Sequence, residues 1–296
     1  MDLQRGYPYI MSYVRRVLIS QEAALVAGLS FLLYAMFLYG PFIMYTVIRT
    51  LKFTWFRHFS SVDIPEPIDI ISASDEDKTT WKVVKDNVAV VAIQGRRGQM
   101  EDRFNFVSDV ERTGTSVYGV FDGHGGESGT TAIISILNKN KLTVANVGDS
   151  RGVLCDKDGK TVALSFDHKP NQVKERQRIE EAGGFISFTG VWRVAGILAV
   201  SRALGDYPLK LNNLVIAKPD VLTFDLKELR PKFIILATDG LWDMFSNEDA
   251  VKFIEQRLHE ADFGASDLVW AAYEKGAFDN ITVMIVTFGE NQFGNG

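Results

Sequence analysis

Carboxylates recur at the ends of apolar runs in this 296-residue chain: Asp122 in "YGVFDGHGG", Asp149 in "VANVGDSRG", Asp239 and Asp243 in "IILATDGLWD", and Asp279 in "AFDNITV". Glu101 and Asp102 stand side by side in "RRGQMEDRF". A single Asp-Gly pair is first of all a turn dipeptide. The repetition changes the reading, because strand ends are rigid and neighbouring glycines let backbone carbonyls and solvent come close, which suits a hard cation held by oxygens. Converging carboxylates would repel one another at high cost without cations to balance them.

The donor set selects the metal. The chain has one cysteine, Cys155, and four histidines without a cluster, so magnesium or manganese is preferred to zinc. The acids are too dispersed for an EF-hand loop. "DGKT" at Asp158–Thr161 has the tail of a phosphate-binding loop, but Leu154 stands where its first glycine belongs, and a hairpin turn explains it better. "NIT" at Asn280–Thr282 matches a glycosylation acceptor, although a turn into the last strand is the better reading. Cys155 lies in an alternating run before "DKDG" and reads as a small buried hydrophobe; no intrachain disulfide can form. A net charge of -5 and a pI near 5.5 exclude an ordinary nucleic-acid binder, and no basic groove or base-stacking pattern suggests a nuclease.

The elements that must position these residues are mostly short β-like runs: "NVAVVAIQ", "RFNFVSDV", "SVYGVFDG", "TTAIISIL", "KLTVANVG", "RGVLCD", "TVALS", "KFIILATDG" and "ITVMIVTF". Helical patterns are fewer: "NQVKERQRIEEAGG" with a glycine stop, "SNEDAVKFIEQRLHE" with Ser246 as N-cap, and "GASDLVWAAYEKG". Runs of strands with separately grouped helices predict an α+β domain of mainly antiparallel sheets with helices outside, over residues 81–290, followed by a tail at 291–296.

The N-terminus differs. No charged residue occurs from Ala23 to Ile48, longer than the roughly 20 residues that cross a bilayer, so residues 1–59 are expected to form a membrane anchor spanning about 23–48. Gly40-Pro41 allows a kinked single span or a shallow hairpin. Arginines and lysines flank both ends equally, so charge does not orient it. Residues 60–80, with two prolines and an acidic, Ser/Thr-rich end, read as a linker.

In order along the chain, "RRGQMEDRF", "FDGHGGE", "GTTA", "TVANVGDSRG", "FDHKP", "RIEEAGGFI", "RVAGILAVSRALGD", "ILATDGLWD" and "DNITV" closely resemble the motif series of the metal-dependent protein serine/threonine phosphatases of type 2C, over about Val88 to Phe288. With the apolar N-terminal segment, the chain most resembles the endoplasmic-reticulum-anchored epsilon type. The resemblance implies two antiparallel sheets packed as a sandwich between helices, with a two-metal centre at one end. It implies that Asp122 bridges two Mg²⁺ or Mn²⁺ ions, that Glu101, Asp239 and Asp279 are further ligands, and that Gly123 offers its carbonyl. Asp102 would lie beside that shell, and Asp149 and Asp243 match positions that hold a third, weaker metal in some relatives. Arg97 matches the arginine that grips phosphate, with Arg96 as the alternative; without the resemblance both read as a solvated turn pair. His124 matches a general acid, whereas His168 in "DHKP" reads as structural.

The implied reaction is hydrolysis of phosphoserine and phosphothreonine in proteins by direct attack of a metal-bridging water, without an enzyme nucleophile. Phosphoprotein substrates and the free magnesium pool are cytosolic, so the catalytic domain is expected to face the cytosol. One departure stands out. In the family several dozen residues, forming helices over one sheet, separate the counterparts of "DGHGGE" and "GTTA"; here Glu127, Ser128 and Gly129 join them directly. A truncated helical layer and an exposed apolar sheet are expected, at about 25 cal/mol per Å² of newly wetted surface. A catalytically inactive, membrane-anchored module that binds phosphoproteins is the alternative function.

Overall fold

The computed structural model describes residues 80–125, 129–289 and 292–293. The expected membrane anchor and the linker before Thr80 lie outside these residues, as do Glu127 and Ser128. Among the described residues no helix is long and apolar enough to cross a membrane.

Three runs that are apolar at nearly every position become the centre of a six-stranded antiparallel sheet: β2 (Val88–Ile93), β15 (Phe233–Ala237) and β16 (Ile281–Thr287). A strand needs apolar side chains on both faces only when both faces are covered. The sheet order is β1-β2-β16-β15-β9-β10, with β1 (Thr80–Lys85), β9 (Arg151–Cys155) and β10 (Thr161–Ala163) completing it. The second sheet runs β14-β8-β7-β4-β3, from β3 (Arg103–Val107), β4 (Thr115–Phe121), β7 (Ala132–Asn138), β8 (Lys141–Val147) and β14 (Asp220–Asp225). Here the pattern alternates, as along Lys141–Val147, because one face alone looks inward.

Between the sheets Val88, Val90, Leu236 and Met284 meet Tyr118, Val120, Ile133, Leu142 and Val144 in one buried cluster. The opposite face of the six-stranded sheet is covered by α4 (Asp239–Trp242), α5 (Asn247–Glu255) and α6 (Ala265–Glu274), which bury Leu241, Ile254, Leu268 and Ala272 against Ala89, Val91, Ile235 and Val283. Ser246 caps α5 as its sequence predicts, its hydroxyl accepting from the Asp249 amide at 3.1 Å. A third small cluster packs α1 (Val173–Glu181), through Ile179, on Val194, Val200 and Val215. The remaining short helices are α2 (Tyr207–Lys210) and α3 (Leu226–Leu229), and β11 (Ile186–Phe188) pairs antiparallel with β12 (Trp192–Val194).

The outer face of the five-stranded sheet has no such cover among the described residues. Val107, Ile136 and Val221 are exposed on it at 37%, 40% and 55%. The Phe121 ring lies over Gly119, whose added Cβ would be 3.0 Å from Cε2. Among the described residues this face is half-wetted apolar surface. At that junction, β5 (Gly123–His124) and β6 (Gly129–Thr130) pair antiparallel, and β6 also pairs with β13 (Leu204–Gly205).

Two decoy motifs resolve as their simpler readings. Asp156 Oδ1 accepts from the amides of Asp158 and Lys160, making "DKDG" the β9–β10 hairpin turn. Asn280 is 3% exposed with both ends of its amide engaged, which leaves no room for a glycan. In the tail, Phe293 packs on Phe288 with ring centroids 5.4 Å apart.

Candidate metal centre

The strand registers bring the acidic strand ends to one end of the sandwich. In the six-stranded sheet Ile93 pairs with Ile281 and Ala237 with Val283, so the exits of β2 and β15 meet the entry of β16. In the other sheet Arg103 pairs with Phe121 and Ala132 with Val147, which places the entry of β3 and the exits of β4 and β8 together. The loops at these points carry Arg97, Glu101 and Asp102, then Asp122, Asp149, Asp239 and Asp279.

Asp122, Asp149 and Asp239 form the tightest group: one ligand atom from each lies within 4.8 Å of the other two. Asp149 Oδ1 and Asp239 Oδ1 are buried without a hydrogen-bond partner. Two orphaned carboxylate oxygens beside a third carboxylate fit an oxygen-loving divalent cation. Crowding by the protein raises the pKa of Asp122 well above the ordinary range, first by desolvation and then by repulsion from Asp102, Asp239, Asp149 and Asp279. Desolvation does the same to Asp239, helped by Asp149, Asp279 and Asp243. Asp243, at the C-cap of α4, is exposed and adds its charge to that repulsion without joining the three.

Asp279 stands on the rim, where Arg97 Nη2 binds its Oδ2; Arg97 is the more exposed partner. The Arg96 guanidinium lies 4.1 Å over the Tyr273 ring and donates to the carbonyls of Tyr273 and Ala277. Gly123 packs so tightly on Glu101 that an added Cβ would be 2.6 Å from the Glu101 carbonyl oxygen. Asp102 sits behind Asp122, 1% exposed, and its Oδ2 accepts from the hydroxyls of Thr238 and Thr282 at 2.9 and 2.7 Å. Burial pushes its carboxyl up to about 7, with the two threonines pulling the other way.

"GTTA" remains docked on the glycine loop despite the short connection. The Thr131 amide and the Thr130 hydroxyl both donate to the Asp122 carbonyl, at 2.8 and 2.9 Å. His124 reaches Asp206, Nε2 to Oδ2 at 2.8 Å.

A scan of known proteins matches residues 126–281 to the family described as Protein phosphatase 2C. Protein phosphatase 1L of Bos taurus is 48% identical over 279 residues, covering 75% of this chain and 77% of the relative. This chain belongs to the protein phosphatase 2C family. The "Probable protein phosphatase 2C 59" of Arabidopsis thaliana is 38% identical over 250 residues, covering 68% of this chain and 79% of that protein. Two solved structures share the fold: a phosphatase from Toxoplasma gondii (TM-score 0.63, 23% identity, 71% of this chain and 96% of that one) and a C. elegans sex determining protein (TM-score 0.62, 23% identity, 70% and 66%). The family match begins at Gly126, within the junction.

As a protein phosphatase 2C the chain is a metal-dependent serine/threonine phosphatase, and its acidic cluster suits that chemistry. Sequence reasoning missed several groups that shape the site. Lys169 Nζ binds Asp149 Oδ2 at 2.9 Å; burial opposes the lysine's charge, but Asp149, Asp239 and Asp243 outweigh it and raise its pKa. Asn280 braces the loop before β3, accepting from the Glu101 amide at 2.8 Å and donating to the carbonyls of Gln94 and Gln99 at 2.7 and 3.0 Å. His168 is structural, as its sequence suggests: 3% exposed, it accepts from the Gly148 amide through Nδ1 at 3.1 Å.

Proposed function

We propose that this phosphatase hydrolyses phosphoserine and phosphothreonine in proteins at a Mg²⁺ or Mn²⁺ centre held by Asp122, Asp239, Asp279, Glu101 and the Gly123 carbonyl. Asp149 and Asp243 would hold a further ion. The single observation that carries this reading is the convergence of Asp122, Asp149 and Asp239 with two oxygens left unpartnered. When bound, the divalent ions lower the pKa of a water and neutralise charge on the phosphoryl group.

The chain's own residues do the rest. The carboxylates are kept crowded by strand ends that cannot move apart. Arg97, half-exposed on the rim beside Asp279, offers a planar fork to two phosphoryl oxygens. His124 supplies a proton to the departing serine or threonine oxygen, a poor leaving group as an alkoxide. Lys169 holds part of the charge of the cluster when no ion does.

The apolar stretch from Ala23 to Ile48 supports a membrane-anchored enzyme, of the endoplasmic reticulum by its resemblance, with the catalytic domain in the cytosol among phosphoproteins. The purified full chain should release phosphate from a phosphothreonine peptide only with Mg²⁺ or Mn²⁺, and Asp239→Asn should abolish the release. Metal-independent turnover would refute the mechanism, and folded protein without turnover would favour a phosphoprotein-binding module. Release of the protein by alkaline carbonate would count against the anchor.

A further inference from the structure

The three-stranded sheet at the junction places Gly129 between two residues that its sequence neighbours do not predict to meet. Gly129 pairs with His124 on one side and with Gly205 on the other. Asp206 follows Gly205 directly, and the side chains of His124 and Asp206 join across the face of the glycine, Nε2 to Oδ2 at 2.8 Å. A Cβ on Gly129 would overlap Asp206 Oδ2 and lie 2.8 Å from His124 Nε2. The backbone of Gly129 is not left-handed, so glycine is needed there for space rather than for conformation.

Asp206 is 7% exposed and precedes α2, where an aspartate ordinarily caps the helix with its carboxylate. This one makes no side-chain cap; it takes a left-handed backbone, φ 51° and ψ 44°, and its carboxylate goes to His124 instead. A buried carboxylate on one imidazole nitrogen sets the ring's orientation and assigns the proton on that nitrogen.

We propose that Asp206 is the positioning residue for His124, holding Nε2–H so that Nδ1 is the nitrogen that gives its proton to the leaving oxygen. This rests on the reading of His124 as the general acid. As the P–O bond breaks, its electron pair stays on the alcohol oxygen and the Nδ1 proton of the imidazolium moves there. The ring is left neutral with Nε2–H still on Asp206, which keeps its charge throughout.

The full chain with Mn²⁺ tests this on two substrates: a phosphothreonine peptide, whose leaving oxygen needs a proton, and p-nitrophenyl phosphate, whose phenolate does not. For Asp206→Ala, kcat on the peptide should fall about 10- to 100-fold with KM little changed, and the loss on the aryl phosphate should be at least tenfold smaller. Gly129→Ala, which keeps both side chains but wedges them apart, should show the same split. Nitrogen-detected NMR of the metal-free wild-type protein should show neutral His124 protonated on Nε2. Equal losses on both substrates, no loss, or a proton mainly on Nδ1 would overturn the proposal. A wild type inactive on both substrates would instead overturn the metal-centre reading, and His124→Gln equally impaired on both would remove His124 as the acid.

Discussion

Lys169 reaches into the acidic cluster, its Nζ 2.9 Å from Asp149 Oδ2, and so a cation of the protein itself faces carboxylates that a metal would otherwise balance. Asp149 is almost fully buried while about a third of the lysine side chain stays wet, 4% against 34%. Lys169→Met should therefore cost the metal-free protein about 1–3 kcal/mol, between the values for surface and buried pairs. Urea unfolding in chelator and in Mn²⁺ would check it, and Mn²⁺ should recover more stability in the variant than in wild type. Equal gains would show that the lysine and the ions do not share the same charge.

Asp102 gives the metal-free protein a pH dependence. Burial pushes its carboxyl up to about 7, whereas the unfolded chain ionises an ordinary aspartate near 4. Between those values the unfolded state sheds a proton that the native state keeps, so native stability falls as pH rises. Asp122 and Asp239, raised in the same direction, add to the slope. Melting temperature in chelator should decline from about pH 5 to 7, and saturating Mn²⁺ should flatten the profile, because bound ions hold the carboxylates ionised. A melting temperature that rises across this range in chelator would contradict the assignment.

Asn280→Ala removes three hydrogen bonds that tie the loop carrying Glu101 to the entry of β16. The expected loss is about 2–4 kcal/mol, since buried backbone groups are left unpaired. Mn²⁺ affinity should fall about tenfold as the ligand loop loosens. Isothermal titration and denaturant unfolding measure the two effects separately.

Ile136→Thr addresses the open sheet. The side chain is 40% exposed on a face where no described helix packs, so stability should change by less than about 0.5 kcal/mol. Solubility should rise and binding of a hydrophobic dye should fall. A large destabilisation would mean that the face is covered in solution.

The central strands and the acidic strand ends were legible because their signals are local. "VAVVAI" and "FIILA" are apolar throughout, which a two-sided strand requires, and Asp122, Asp149 and Asp239 each follow such a run. Lys169 was not legible, since a lysine in "DHKP" looks like any solvated charge until the fold lays it on Asp149. Asp206 left a faint trace: "LGD" repeats the Gly-Asp ending of "VGD" at Asp149, but it closes no apolar run. The edge strand Asp220–Asp225 escaped because its side chains are mostly exposed or half-exposed, and the strand pairs at Gly123–His124 and Gly129–Thr130 are too short for any periodicity.

Among the described residues the strand that begins beside Asp279 is the last in sequence, yet it lies between β2 and β15 rather than at an edge. Vectorial synthesis therefore leaves β2 and β15 each with one open, strongly apolar border until β16 leaves the ribosome. In a nascent polypeptide stalled before residue 281 Asp279 has been made but not placed, because the strand that carries it to the other carboxylates has yet to insert.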